Sequence, residues 1–279
     1  MKSVLITLLL SPIASVFASA LDDINGIPHL DINGKDAYRT FLTAQQHRAF
    51  VIAPGGVWAW KAGEISVGSA AESALQSCRE STEQNCVVYA VDEKNVFNTR
   101  TWATLWGPYL TRAEAARQPI GVERGNRFFD LKFKDAAGKS MKLSDLPGKV
   151  VVLHFWGSWC PPCQQELPEL QKLQHALRKS SDITMVLLQV RENFADSTLA
   201  VKQLRLKLPL YDSEVKDKSD ERLKLAGGGT LKDRDIAAVF PTTYVLDKHG
   251  VVLLSHFGPV GNWMEYLPLL IDAAKKSGK

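Results

Sequence analysis

The chain has 279 residues, of which 45% are hydrophobic and 23% are charged, so it is long enough for two globular domains with buried cores. Its formal net charge of +4 is spread along the sequence, without a dense run of Lys and Arg. This distribution argues against nucleic-acid binding, which needs a concentrated basic surface, and favours protein substrates.

The first twenty residues are typical of a secretory signal peptide. Lys2 precedes an apolar stretch from Val4 to Phe17, and Ala18-Ser19-Ala20 forms an A-x-A cleavage pattern. The alternative is an uncleaved membrane anchor, but this stretch is shorter than the ~20 apolar residues that a spanning helix needs. Later apolar runs have only the length of strands. We therefore expect a periplasmic protein that does not span the membrane once it is processed.

Residues 21–118 predict a small α+β domain. The pattern indicates, in chain order, a helix over Asp36 to Gln46, a hairpin over Ala49 to Trp60 that turns at Pro54-Gly55-Gly56, a helix ending at Cys78, and a strand over Val87 to Val91. The segments Ala49 to Gly56 and Cys86 to Tyr89, with the helix between them, resemble a family of small exported domains of unassigned function. This resemblance implies no chemistry.

Four cysteines occur as two close pairs, which an oxidising compartment permits to form disulfides. Cys78 ends a helix that the capping-box pattern Ser69-x-x-Glu72 would open, and Cys86 directly precedes a strand. The spacing favours a structural disulfide between helix and strand, because no Pro or aromatic cysteine motif flanks either residue. An accessory redox role is the alternative.

Four tryptophans in this region, Trp58, Trp60, Trp102 and Trp106, are consistent with two interpretations. They could form an exposed aromatic binding face, or they could belong to the core, as aromatic residues in strands usually do. A short helix over Thr111 to Gln118 then leads to Pro119 and Gly121. We place the domain boundary here, with residues 119–126 as the linker.

From residue 127 to residue 279 the sequence predicts a second, α/β domain. A hairpin over Phe128 to Leu143 is followed by buried apolar strands that alternate with helices, which indicates a βαβ core with parallel strands. Gly227-Gly228-Gly229 follows a charged, helix-like stretch and predicts a flexible surface loop. In Phe240-Pro241-Thr242, the proline stands at a strand entrance, a position that favours a cis peptide bond.

The motif Trp159-Cys160-Pro161-Pro162-Cys163 lies between a buried strand and a helix, and it predicts a redox-active dithiol. The N-terminal end of a helix stabilises thiolate, which is the form that attacks disulfides. Cys160, nearer the mouth of the loop, would be the nucleophile, and Cys163 would resolve the mixed disulfide. An inert disulfide or half of a zinc site is the alternative, but no second ligand pair is present, so we expect no metal or other cofactor.

The segment Phe155 to Cys163, Pro168 in the following helix, and Phe240-Pro241-Thr242-Thr243 together resemble the thioredoxin superfamily. The hairpin before the first core strand and the run Cys163 to Pro168 are similar to the exported TlpA/ResA-type thiol-disulfide oxidoreductases. The resemblance covers about residues 125–279 and implies a thioredoxin-like fold for that part alone.

The resemblance also implies roles for the residues around the dithiol. Glu166, three residues after Cys163 and so on the same helical face, would relay a proton to it; an acid that complements the helix dipole is the alternative. Phe240, Pro241 and Thr242 would bind an extended substrate segment, and Trp159 would be an apolar platform beside them or half-buried packing.

His154 stands where thioredoxins proper carry a buried acid, so this sequence departs from their pattern. Two interpretations remain open, a hydrogen-bonded core histidine and a neutral imidazole that tunes Cys163.

Taken together, the sequence predicts an exported reductase of disulfides in other exported proteins, with apocytochrome maturation as one family role. The absence of N–H groups at Pro161 and Pro162 favours a reductant, because fewer donors stabilise the Cys160 thiolate. A reductant in an oxidising compartment needs a membrane dithiol donor as a partner. The alternatives are a disulfide oxidase or isomerase, and a binding protein whose dithiol is regulatory.

Overall fold

The structure, a computed structural model, describes residues 21–102, 104–146 and 148–277. The expected signal peptide, residues 1–20, lies outside the described residues. In the part of the chain that is described, no helix combines the length and the apolar character that crossing a bilayer requires.

The N-terminal part has its own antiparallel sheet with helices packed beside it. Its elements are α1 (Ile32–Thr43), β1 (Ala49–Ile52), β2 (Trp58–Lys61), α2 (Val67–Arg79), β3 (Val87–Val91), β4 (Lys94–Asn95), α3 (Thr99–Trp102) and α4 (Arg112–Arg117). The strand order is β2-β1-β3-β4, and the hairpin predicted around Pro54 joins β1 to β2. This part is therefore α+β, as the sequence predicts.

Both larger helices of this part begin earlier than the sequence predicts. The Asp31 side chain accepts a hydrogen bond from the Gly34 N–H and caps α1, which begins at Ile32 rather than Asp36. Ser66, whose side chain accepts from the Ser69 N–H, caps α2. The predicted capping box at Ser69 is thus wrong, because Ser69 already lies inside the helix.

The C-terminal part contains two further sheets. Its elements are β5 (Leu131–Lys134), β6 (Ser140–Lys142), β7 (Val150–Trp156), α5 (Pro161–Leu177), β8 (Ile183–Gln189), α6 (Phe194–Gln203), β9 (Leu210–Tyr211), β10 (Arg222–Leu225), β11 (Thr230–Lys232), β12 (Thr242–Leu246), β13 (Val252–Phe257) and α7 (Leu267–Lys276). The central sheet has the order β13-β12-β7-β8-β9. Strands β7, β8 and β9 are parallel, whereas β12 is antiparallel to both of its neighbours.

The charged stretch before the three glycines ends in the first strand of a β-hairpin and is not the helix that the sequence predicts. Strands β10 and β11 pair antiparallel, and β10 also pairs with β5, so the hairpin extends the small sheet to the order β11-β10-β5-β6. Gly228 and Gly229 have φ of +93° and +80°, a left-handed conformation that glycine adopts readily and that reverses the chain here. The apolar Leu223 points into the core, and Arg222 and Lys224 alternate with it.

The two parts of the chain share one hydrophobic core. Tyr38, Phe50 and Trp102 from the N-terminal part belong to the same cluster of buried side chains as Trp156 and Trp263. For the tryptophans, the core interpretation is confirmed at the two buried positions, Trp102 and Trp106, while Trp58 and Trp60 are partly buried against the same cluster. An extensive contact of this kind restricts independent motion of the two parts.

The segment proposed as a linker, residues 119–126, is tied to both sides. The Arg124 N–H donates to the Glu83 carboxylate of the N-terminal part at 2.7 Å, and the Gly125 N–H donates to the Val252 carbonyl of the C-terminal part at 2.8 Å. The segment therefore follows the edge of the C-terminal part and is not a free tether.

Cys78 and Cys86 form a disulfide that joins the end of α2 to the start of β3. Cys78 is buried among small side chains between α2 and the first sheet. We expect the double substitution of both cysteines by Ala to lower the free energy of unfolding by about 2.5 kcal/mol, because the short closed loop no longer restricts the unfolded chain. Denaturant unfolding measures the loss. Unchanged exchange activity at a temperature where the variant stays folded would support a structural role, and a large loss of activity would contradict it.

Candidate active site

The dithiol lies at the point where β7 ends and α5 begins. Cys160 caps α5, and its Sγ is joined to that of Cys163 in a disulfide. Pro161 and Pro162 occupy the first two helical positions and have no N–H, so the donor that reaches the Cys160 Sγ is the Cys163 N–H, at 3.3 Å. Cys160 is 4% exposed and Cys163 is fully buried. Cys160 is therefore the more exposed of the two cysteines.

Glu192 anchors the loop before Cys160. Its carboxylate accepts from the Ser158 N–H at 2.8 Å and from the Ser158 hydroxyl. Burial raises the pKa of Glu192, and the two hydrogen bonds from Ser158 oppose that shift. The sequence gives no local indication of this role, because Glu192 is 34 residues from Ser158 along the chain.

Trp159 and Phe240 form an aromatic pair beside the dithiol. The indole Nε1–H of Trp159 donates to the Val190 carbonyl at 2.9 Å, and the ring meets Phe240 edge to face with 5.6 Å between centroids. The Phe240 carbonyl oxygen lies 3.6 Å from the Cys160 Sγ. Because Trp159 is held by this hydrogen bond and by the ring contact, it forms a half-buried wall of the site.

The Phe240–Pro241 peptide bond is cis, as the position of the proline at the entrance to β12 suggests. Thr242 differs from the expectation. Its side chain is fully buried and its hydroxyl donates to the Val239 carbonyl at 2.6 Å, so this side chain stabilises the loop and does not face a substrate. Of the three residues expected to bind substrate here, Phe240 contacts the dithiol, and Pro241 follows it through the cis bond.

Two arginine side chains lie over the ring of Phe240. The guanidinium of Arg234 lies 5.1 Å and that of Arg191 lies 5.9 Å from the centroid of the ring. Arg191 also forms a two-point ion pair with the buried Asp233, at 2.6 and 2.9 Å. These cations stabilise the ring by cation–π attraction, and sequence patterns gave no indication of them.

Glu166 is buried one helical turn after Cys163, on the same face of α5. Its Oε1 accepts from the Trp263 Nε1–H at 2.6 Å and from the Val260 N–H at 3.1 Å. Removal from water raises the pKa of Glu166 to about 8, against the smaller opposite effect of these hydrogen bonds. The acid is 2% exposed and lies beyond the first turn of α5, which argues against a simple complement to the helix dipole.

His154 is a buried histidine on β7 that faces this acid. Its Nδ1 is 2.8 Å from the Thr243 hydroxyl, and its Nε2 is 4.0 Å from the Glu166 Oε2. Burial lowers the pKa of His154 to about 3, so the imidazole is neutral at physiological pH. The core interpretation thus agrees with the structure, and the same residue stands beside the acid that neighbours the dithiol.

The comparisons with known proteins agree with this geometry. The family model described as Redoxin matches residues 123–263, about half of the chain, and this range includes the dithiol, Glu166 and the cis proline. The chain belongs to the redoxin family.

This redoxin also has curated relatives with similar C-terminal sequences. It is 32% identical over 155 residues to the thioredoxin-like protein YneN of Bacillus subtilis, over 56% of this chain and 82% of the relative. It is 33% identical over 150 residues to the thiol-disulfide oxidoreductase ResA of Bacillus thuringiensis subsp. konkukian, over 54% of this chain and 75% of the relative. The ResA-like resemblance is confirmed, and the chain is a protein thiol-disulfide oxidoreductase.

Among solved structures, the redoxin is similar to StoA from Bacillus subtilis, with 25% identity, a TM-score of 0.35, and coverage of 48% of this chain and 90% of that one. The family match begins at residue 123, so the N-terminal part lies outside it. The redoxin therefore carries an additional α+β part that the family match does not cover.

A cavity of about 680 Å³ opens at the end of the central sheet that lies opposite the dithiol. Its wall includes Val151 at the start of β7 and Leu246 at the end of β12, whereas the dithiol follows the other end of β7. This cavity is therefore not part of the redox site.

Proposed function

We propose that this protein is an exported reductase that uses Cys160 and Cys163 to reduce disulfides in other periplasmic proteins. The observation that carries the proposal is the set of donors around Cys160. One backbone N–H, that of Cys163, reaches its sulfur, and the two intervening prolines supply none. A thiolate with few donors is less stabilised, so the reduced pair gives up its electrons more readily.

Reduction of the substrate disulfide proceeds through two successive thiol-disulfide exchanges. The Cys160 thiolate attacks one sulfur of the substrate disulfide, forms a mixed disulfide and releases the other substrate sulfur as a thiolate. The Cys163 thiolate then attacks the Cys160 sulfur and releases the second substrate thiolate. The substrate disulfide is reduced to two thiols, and the protein pair is oxidised to the disulfide that the structure contains.

The surface beside Cys160 suits an extended segment of the substrate. Phe240 has its carbonyl oxygen next to the Cys160 sulfur and precedes β12, which supports pairing of its backbone with an added strand. Trp159 and the Phe240 ring supply apolar contact. Extended segments of this kind occur in proteins that are not yet folded, such as an apocytochrome, which is one role that the proposal allows.

Glu166 is proposed as the group that takes the proton from Cys163 before the second step. It lies one turn from Cys163 in a buried site, and its pKa of about 8 lets it accept and release a proton near neutral pH.

Each turnover leaves the pair oxidised, so the cycle needs a membrane dithiol as electron donor. The signal peptide, residues 1–20, would deliver residues 21–118, the linker 119–126 and residues 127–279 to the periplasm.

One observation favours the second candidate, a disulfide oxidase or isomerase. Cys160 stands at the N-terminal end of α5, whose dipole stabilises a thiolate and so makes the disulfide more oxidising. The two candidates differ in which direction of exchange is favoured, and this difference is measurable with the purified mature protein.

The proposal is tested by running the exchange in both directions with a peptide that contains one disulfide. We expect equilibrium to favour oxidised protein and reduced peptide over the reverse by a factor of at least about 10 for a peptide near −240 mV. Mass spectrometry counts the free thiols of each species. The C78A/C86A protein serves as the matched control, because it leaves one exchanging pair. An equilibrium that favours peptide disulfide would establish the oxidase instead.

A further inference from the structure

The N-terminal part reaches the surroundings of Glu166 through His29. The His29 backbone N–H donates to the Glu265 carboxylate at 2.6 Å, and its ring stacks on Tyr266 with 4.0 Å between centroids and 7° between planes. Glu265 and Tyr266 belong to the 3₁₀ turn Trp263–Tyr266, which precedes α7. This turn also contains the tryptophan that donates to Glu166. One short turn thus touches both the N-terminal part and the buried acid.

The hydrogen bonds of His29 define its tautomer. Its Nδ1 accepts from the Gly55 N–H at 3.2 Å, so the ring proton is on Nε2, which donates to the Glu265 carbonyl at 3.3 Å. Burial lowers the pKa of His29 to about 3 and keeps this neutral form. Both nitrogens and the ring face of His29 are therefore committed to holding the turn against the N-terminal part.

The β1–β2 hairpin supports the same contact. The Gly55 carbonyl is 2.8 Å from the Nδ1 of His256 on β13, and a Cβ at Gly56 would lie 2.7 Å from the His29 carbonyl oxygen. Glycine at position 56, with a φ of +89°, is thus required for the hairpin to approach His29 so closely. The N-terminal part thus contacts the C-terminal end of β13 through the Pro54-Gly55-Gly56 turn.

From the turn, the contacts continue to the acid. The Tyr266 ring lies 5.0 Å from the Trp263 ring, and Trp263 and Val260 donate the two hydrogen bonds that the Glu166 Oε1 accepts. We propose that His29 is a positioning residue of the redox site, through which the N-terminal part holds the Val260–Tyr266 segment and so fixes Glu166 beside Cys163. The inference rests on the role of Glu166 under the proposed function.

The test is a double-mutant cycle between His29→Asn and Glu166→Gln in the mature protein. Asparagine tolerates the left-handed backbone at this position, where φ is 64°, and it removes the stacked ring and the Nε2 donor. The readout is the rate constant for resolution of a mixed disulfide with a peptide, measured from pH 6 to pH 9. We expect His29→Asn to slow resolution about 10-fold near pH 8 and to have less than a 2-fold effect when Gln already replaces Glu166.

Other titratable groups near Glu166 can also contribute to the pH profile. His154 on β7, Tyr266 on the 3₁₀ turn and Cys163 on its own helix lie near the acid, and His256 on β13 interacts with His154. Burial depresses the pKa of both histidines and raises that of Tyr266, so none of these three titrates near pH 8. A change in the profile near pH 8 that depends on Glu166 therefore reports on the acid and its thiol neighbour.

The matched control is Tyr109→Phe, which removes another hydrogen bond between the two parts, from the Tyr109 hydroxyl to the Asp272 carboxylate at 2.8 Å. It should leave resolution unchanged. Glu265→Ala removes the acceptor of the His29 N–H and so disrupts the same contact from the other side. It should reproduce the effect of His29→Asn, and it keeps the test valid if the His29→Asn protein folds poorly.

Three results would overturn the inference. Equal slowing by His29→Asn with and without Glu166 would show a general structural effect and would leave the proposed function intact. No slowing by either His29→Asn or Glu265→Ala would exclude the positioning role. No effect of Glu166→Gln alone would remove the role of Glu166 and the inference together.

Discussion

Replacing Cys160 with Ser should lower the rate of disulfide exchange by on the order of 10³-fold or more, because the hydroxyl cannot act as the attacking thiolate. Cys160 caps α5 and is the more exposed of the two cysteines, next to the Phe240 carbonyl. The rate constant for reduction of a peptide disulfide measures the loss. The global fold should not change, since serine is among the favoured helix N-cap residues.

The partner substitution, Cys163→Ser, should behave differently. Cys160 still attacks, but the buried serine cannot resolve the mixed disulfide, so a covalent adduct of protein and half-peptide should accumulate. Mass spectrometry of the acid-quenched reaction detects it. If the Cys160→Ser variant formed the adduct and the Cys163→Ser variant did not, the assignment of nucleophile and resolving cysteine would be reversed.

Replacing Glu166 with Gln should slow resolution of the mixed disulfide by roughly 10²-fold at pH 8, within the usual range for loss of a general base. In the native protein the rate should rise with pH through about 8, because the carboxylate that accepts the Cys163 proton forms over that range. The Gln variant should lose this rise and follow the ionisation of the thiol itself. Stopped-flow measurement across pH gives both profiles.

Unfolding provides an independent check on the same group. The pKa of Glu166 is raised in the folded protein, from its ordinary 4.5 to about 8, so the unfolded chain releases this proton first. The stability that the neutral acid supplies is complete below pH 4.5 and is lost as the pH rises to 8. Denaturation across this range should show a loss in the native protein that the Gln variant lacks. Parallel curves for the two proteins would contradict a raised pKa.

The elements that could be predicted from the sequence are those encoded by local patterns of residues. The buried run before Cys160 predicts β7, the following periodicity predicts α5, and Phe240-Pro241 predicts the turn into β12. The hairpin β10–β11 was missed because its charged residues suggested a solvated helix. The alternation around Leu223, followed by Gly228 and Gly229, is the period-two signal that could have identified it.

The surroundings of the dithiol could be predicted only in part. Cys160, Cys163 and Glu166 lie within one helix, so their spacing alone brings them together. The donors to Glu166 come from Val260 and Trp263, more than 90 residues away, and Glu192 reaches Ser158 from the end of another strand. No periodicity encodes such contacts, because they follow from how the sheet brings distant loops to one edge. For the same reason, the packing of His29 against the C-terminal part could not be predicted from the sequence.

The measurement that tests the central claim most directly is the reduction potential of the Cys160–Cys163 pair in the mature protein. It is obtained by equilibration against defined thiol buffers, with the Cys78–Cys86 disulfide followed separately by mass spectrometry. A potential near the ~ −270 mV of thioredoxin is the result we predict, and it would establish a reductase that depends on a membrane donor. A potential at or above the ~ −180 mV of protein disulfide isomerase would contradict it, because such a pair donates or rearranges disulfides.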